Sequence, residues 1–127
     1  MIFDTDILIW LLRNYPGAAE FVDRTPFPDR NLSAISYLEV LYGCRNSGEL
    51  NNASRMVVDL FAKVLPLTEN ISETAQQLME RFVLSRRPEP DDVLIAATAL
   101  HRDEPLATGN VKHFEFIPGL TLKPFRP

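Results

Sequence analysis

Four acidic residues stand where a folded chain would bring acids together. Asp4 ends the apolar run Met1-Ile2-Phe3, Glu39 sits between Leu38 and Val40, and Asp91 and Asp92 follow Pro90 at the head of an apolar stretch. Open α/β folds place their chemistry at strand and helix ends along one sheet edge. Carboxylates that meet there repel one another unless cations or protonation relieve the repulsion. Oxygen ligands without Cys or paired His favour Mg²⁺ or Mn²⁺ over zinc. Such an ion lowers the pKa of a bound water and steadies charge on a phosphoryl oxygen, so phosphodiester hydrolysis is the chemistry that fits.

Taken singly, each acid also has a structural explanation. Asp is a favoured helix N-cap, which would account for Asp4. Ser36 and Glu39 match a Ser-x-x-Glu capping box. Asp91 and Asp92 suit the positive end of a helix dipole. Thr5 and Thr108 carry hydroxyls that would orient a carboxylate, or would cap the turn that follows. His113 is a candidate base or ligand, but a lone His beside Phe114 reads first as a surface or packing residue. Arg86, Arg87, Arg102 and Lys112 suit contacts to phosphate, which position a nucleic acid, but as scattered charges they read first as solvated. The combination of acids, rather than any one of them, points to a site.

The elements that must position these residues follow from periodicity and punctuation. Residues 1–3 read as a buried strand, and 6–14 as a helix with Ile7, Leu8, Leu11 and Leu12 inward. Pro16 opens a short helix through Val22, and the two prolines at 26 and 28 mark a loop. A second strand is expected at 32–35, then a helix capped by Ser36 and Glu39 that ends near 46–48. Helical spacing continues over 49–64, followed by a strand at 64–67. Asn70 and Glu73 are the expected cap of a further helix facing inward through Ala75, Leu78, Met79, Phe82 and Val83. The loop 86–90 is basic and stiffened by proline. Strands are expected at 106–107 and, at an edge, 120–122. Strands alternating with helices predict an α/β sandwich around a mostly parallel sheet.

With 127 residues, the chain fits one domain over positions 1–127. The lone Cys44 fits a reducing cytoplasm and excludes an internal disulfide. No apolar run is long enough to span a bilayer, and no basic leader opens the chain. The net charge of −4 argues against broad attraction to nucleic acid. It leaves room for an RNA substrate where cations offset clustered acids.

Four segments together resemble the PIN-domain ribonucleases, specifically the VapC-type toxins of prokaryotic toxin–antitoxin pairs. They are residues 1–8 (Met-Ile-Phe-Asp-Thr-Asp-Ile-Leu), 32–43 (Leu-Ser-Ala-Ile-Ser-Tyr-Leu-Glu-Val-Leu-Tyr-Gly), 92–100, and 105–120 with its Leu-Ala-Thr-Gly-Asn core. The resemblance implies a PIN-like three-layer sandwich with four to five central strands. It implies Asp4, Glu39 and Asp92 as the catalytic, metal-holding acids, with Asp91 as a cap or auxiliary. Where many relatives carry a fourth acid, this chain has Asn110, and Asp6 is the nearest acid to compensate. It also implies Mg²⁺ or Mn²⁺ as cofactor, RNA as substrate, a DNA-binding VapB-type antitoxin that covers the cleft, and a homodimer.

Two alternatives remain at this level. Residues 1–6 are also similar to the strand and Asp-x-Asp of haloacid-dehalogenase-like phosphatases, with Asp4 as nucleophile, although Leu8 departs from that motif. The missing fourth acid would also suit a PIN-fold binding module with weak or no catalysis.

Overall fold

The shortest strand of the sheet sits at its centre. In the computed structural model, which describes residues 1–127, β1 is Ile2–Phe3, and both of its residues are fully buried. It is followed by α1 (Thr5–Leu12), α2 (Pro16–Asp23), a 3₁₀ turn at Phe27–Asp29 and β2 (Asn31–Ser33). Next come α3 (Ala34–Tyr42), α4 (Ser47–Leu60), β3 (Lys63–Leu65), α5 (Glu69–Phe82) and α6 (Pro90–Arg102). The chain closes with β4 (Leu106–Thr108), a 3₁₀ turn at Val111–His113 and β5 (Leu122–Pro124).

All five strands are parallel, in the order β3-β2-β1-β4-β5. Side chains alternate across a strand, so β1 feeds two cores. Phe3 packs with Ile7, Leu8, Val22, Ala53 and Val57 of the helices on one face. Ile2 packs with Leu106, Ile95, Ala96 and Ala99 on the other. Burial on both faces is the condition under which parallel strands are stable. Helix α6 owes its close seat on the sheet to small residues: Ala96, Ala97 and Ala99 are all buried. Helix α5 lies along it, with Ile71 and Ala75 packed against Val93 and Ala97. The result is the α/β three-layer sandwich expected from the sequence.

Several boundaries differ from the sequence expectation, each for a local reason. Strand β2 stops at Ser33, because the Ser33 hydroxyl accepts from Ile35 N and caps α3 there. Ser36 and Glu39 therefore do not form a capping box. They lie inside the helix with their side chains free for other partners. Helix α3 ends at Tyr42, and Asn46 starts a new helix by accepting from Glu49 N at 2.9 Å. That helix ends at Leu60 rather than continuing to Val64. Thr68, not Asn70, caps α5, accepting from Ile71 N. Glu89 occupies the N-cap position of α6 without a side-chain bond, which leaves both Asp91 and Asp92 inside the first turn. The edge strand falls at 122–124 instead of 120–122.

A polar clasp fixes the central strand. Glu104 Oε1 accepts from the Met1 amine at 2.7 Å and from Asn31 Nδ2 at 2.8 Å, while Oε2 accepts from Arg102 Nε at 2.9 Å. Burial alone would raise this carboxyl, but the bonds from the amine, Asn31 and Arg102 outweigh it and hold it below the usual Glu range. A depressed folded-state pKa gives stability that is present above the ordinary Glu value and lost as pH falls through the lowered one. Glu104→Ala should therefore cost about 1–3 kcal/mol at neutral pH. Urea unfolding reads the loss, and the difference from wild type should shrink below about pH 4.

Candidate functional site

The chain order reverses at β1: the sheet grows from β1 to β2 and β3, then returns to place β4 on the other side of β1. Ligand crevices of open α/β sheets form at such a point, beyond the carboxyl ends of the strands. Asp4 leaves β1 there, and Thr108 ends β4 beside it. A cleft of about 270 Å³ opens at this place, lined by Asp4, Thr5, Asp6, Ile9, Glu39, Glu89, Asp91, Asp92, Asn110 and His113. Six of these residues are acids, and none is Lys or Arg.

Asp4 is the most firmly held. It is only 4% exposed. Its Oδ1 accepts from Thr5 N at 2.7 Å, the N-cap bond of α1, and its Oδ2 accepts from Thr108 Oγ1 at 2.7 Å. The Thr108 hydroxyl in turn accepts from Asn110 N at 2.9 Å, which fixes the direction of its proton. Burial is the main force pushing the Asp4 carboxyl up, to about 7, and the neighbouring charges of Asp6 and Asp92 add to it. The bonds from Thr108 and Thr5 act in the opposite direction but do not prevail.

Glu39 is positioned by the residue that follows Asp4. Thr5 Oγ1 lies 2.8 Å from Glu39 Oε1 and 3.0 Å from Ser36 Oγ. One hydroxyl has one proton, so Thr5 donates to the carboxylate and accepts from the fully buried Ser36. Thr5 thereby links α1 to α3 across the cleft. Burial raises the Glu39 carboxyl to about 7, helped by a hydrogen bond with Asp91 and by the charges of Asp91 and Asp4. Asp91 is thus a close neighbour of Glu39 in the cleft. It also accepts from Asp92 N at 3.0 Å.

Asp92 is raised by burial and by Asp91, and partly relieved by His113. His113 Nδ1 lies 3.1 Å from Asp92 Oδ2. A lone His next to a Phe carries little signal in sequence, and only the turn after β4 brings it to the acid. Asp6 joins the cluster from the first turn of α1. Its Oδ2 accepts from Gly109 N at 2.8 Å, and its buried Oδ1 has no partner unless Asp4 and Asp6 share a proton. Burial raises the Asp6 carboxyl as well. Gly109 is required for this approach, since a Cβ there would come within 2.5 Å of Asp6 Oδ2. Nothing in the sequence marked Gly109 for that role.

The fold thus brings together Asp4, Thr5, Asp6, Glu39, Asp92, Thr108 and Asn110, all singled out in sequence, and Asp91 with them. Asn110 lines the cleft and adds no charge to it. The all-oxygen donor set and the orphaned Asp6 oxygen suit a hard divalent cation. No three of the acids stand close enough to ligate one ion directly. Mg²⁺ commonly binds one or two carboxylates while keeping its waters. The residues fit an ion held in that way.

Raised pKa values carry a sign for stability. Asp4 and Glu39 bind protons more tightly when folded, so their favourable contribution is complete below the ordinary carboxylate pKa and is lost as pH rises toward about 7. In EDTA, Asp4→Asn should gain on wild type by roughly 4 kcal/mol between pH 4 and pH 7.5. Urea unfolding across that range measures it. A constant difference would mean that Asp4 is not strained by its surroundings.

The family model described as "PIN domain" matches residues 1–117. The chain is 34% identical over 116 residues to "Ribonuclease VapC10" of Mycobacterium tuberculosis, covering 90% of this chain and 85% of the relative. It is 33% identical over 123 residues to "Ribonuclease VapC19" of the same organism, covering 94% and 95%. The solved structure of VapBC-1 from nontypeable Haemophilus influenzae superposes with a TM-score of 0.79 at 28% identity, covering 98% of both chains.

Proposed function

The chain belongs to the PIN-domain family, and from that premise we propose that it is a divalent-metal-dependent endoribonuclease, a toxin held in check by an antitoxin. The observation that carries this reading is the acid cluster itself: six carboxylates from three segments of the chain share one cleft that contains no Lys or Arg. Asp4, Glu39 and Asp92 are the residues to hold Mg²⁺ or Mn²⁺, with Asp6 and Asn110 as auxiliaries. A divalent ion there supplies a more acidic water and neutralises charge at the phosphate.

The chain's own residues set the geometry. Thr108 and the Thr5 amide fix both oxygens of Asp4. The Thr5 hydroxyl orients Glu39, and His113 steadies Asp92. Hydrogen bonds to the ligating groups in this way keep them in place before an ion arrives. Membership of the family displaces the phosphatase alternative, and a buried Asp4 with both oxygens engaged is a poor nucleophile.

A groove of mixed lining, with Ile9, Leu12, Val40 and Cys44 beside Arg13 and Arg45, adjoins the acid cleft and shares Ile9 and Glu39 with it. A VapB-type antitoxin segment lying there would reach Glu39 and close the cleft to RNA, as suits a relative of proteins solved as VapBC complexes. Leu38 and Tyr42, 56% and 93% exposed one turn apart on α3, offer surface for a homodimer, which light scattering reads directly. No helix is long and apolar enough to cross a membrane, and an RNA substrate suits a cytoplasmic protein.

Inducing wild type beside Asp4→Asn and mapping RNA ends tests the reading. New internal ends bearing 5′-phosphates should appear with wild type only. In a purified assay EDTA should abolish cutting, and Asp4→Asn should lower the rate by about 100-fold or more, the effect of losing one charge-stabilising group. Identical end maps would leave a binding module as the better description.

A further inference from the structure

Next to the acid cleft lies a second cavity of about 320 Å³ where the charge reverses. Arg86, Arg87 and Lys112 line it, and its wall toward the acid cleft is made of Glu89, Asp92 and His113, which face both spaces. None of the three cations is paired in the fold, whose ion pairs involve other basic groups. Most Lys and Arg of this chain are unpaired, since only Arg30, Arg45 and Arg102 form ion pairs, and these three cations differ in sharing one cavity beside the acids.

These cations come from two distant turns and are held there. Arg86 N and Arg87 N both donate to Phe82 O, at 2.8 and 3.1 Å, which closes the turn after α5. Arg87 takes a left-handed backbone, φ 47°, and Pro88 follows it. The Arg86 guanidinium stands 5.6 Å over the Phe116 ring, and Phe116 packs edge-on against Phe82 at 5.0 Å. Lys112 enters from the 3₁₀ turn after β4, beside His113. Scattered surface cations would share neither a concavity nor a wall with the catalytic acids.

RNA carries a phosphate at every nucleotide. A strand laid in the acid cleft therefore brings neighbouring phosphates toward six carboxylates, and it needs positive charge within reach on at least one side. Arg offers paired donors that match phosphate oxygens, and Lys offers a point charge. We propose that Arg86, Arg87 and Lys112 form a phosphate subsite that grips the RNA backbone next to the bond to be cut and lays the strand across Asp92. This rests on the ribonuclease reading and assigns the direction in which the substrate leaves the cleft. Glu89 on the shared wall keeps the grip moderate, since it opposes an anion placed too close to the acids.

Binding of a fluorescein-labelled single-stranded RNA is measured by anisotropy over a range of salt, with Mg²⁺ present and Asp4→Asn as the parent to prevent cutting. Adding Arg86→Ala, Arg87→Ala and Lys112→Ala should weaken binding about tenfold or more at low salt. The slope of log K against log salt should fall by about 0.7 for each phosphate that the variant no longer holds. Arg86→Lys with Arg87→Lys should restore most of that slope. Removing the same charge at Arg24, Arg55 and Lys63, which lie outside this cavity, should change binding far less. An unchanged slope in the subsite variant, or an equal weakening in the charge control, overturns the subsite. The RNA ends made by wild type report on the ribonuclease reading separately, so wild-type cutting with an unaltered slope would sink the subsite alone.

Discussion

Like-charge crowding at the carboxyl end of β1 is the constraint on which the rest of the structure turns. Asp4, Asp6, Glu39, Glu89, Asp91 and Asp92 face one cleft without a Lys or Arg among them. Burial and mutual repulsion push Asp4 and Glu39 to about 7, so the metal-free cluster is relieved by protons rather than by fixed cations. A fold selected for stability alone would disperse these charges or pair them. Here the hydroxyls of Thr5 and Thr108 instead hold the carboxylates in position, with Ser36 bonded to Thr5.

The scaffold is built to tolerate that strain. β1 is two residues long, yet it is bonded on both sides and buried on both faces, and it is tied at its start by Glu104. Two cores separated by the sheet give Asp4 a rigid base, and α6 delivers Asp92 from a helix whose small residues let it lie close. Stability gathers in the apolar layers, which leaves the sheet edge free to be electrostatically unfavourable until a ligand arrives.

The acids were legible in sequence because strand-to-helix junctions announce themselves through apolar runs that end in Asp. Asp4 is the case of this, Asp92 was marked instead by Pro90 at the head of an apolar helix, and α/β alternation was enough to give the layer order. Short-range signals were less faithful where two caps competed. Ser36 and Glu39 satisfy the capping pattern, but Ser33 stops the strand earlier and takes the cap, which frees both residues for Thr5. Gly109 was illegible, and His113 and the Arg86–Arg87–Lys112 group were legible only as weak candidates, for a different reason. Their roles depend on which turns meet in space, and periodicity carries no information about that. Gly109 is the clearest case, needed only because Asp6, far away in sequence, must reach its amide.

The central claim is that this carboxylate edge holds a divalent cation through Asp4 and Asp92. Titrating metal-free protein with Mn²⁺ and following the free-ion signal by electron paramagnetic resonance tests it without any assumption about substrate. Wild type should deplete the signal, and Asp4→Asn and Asp92→Asn should each weaken binding by at least about tenfold, while Glu104→Gln, outside the cleft, should bind as wild type does. A wild-type protein that leaves the signal untouched, or acid-site variants that deplete it equally, would contradict a metal held at this edge.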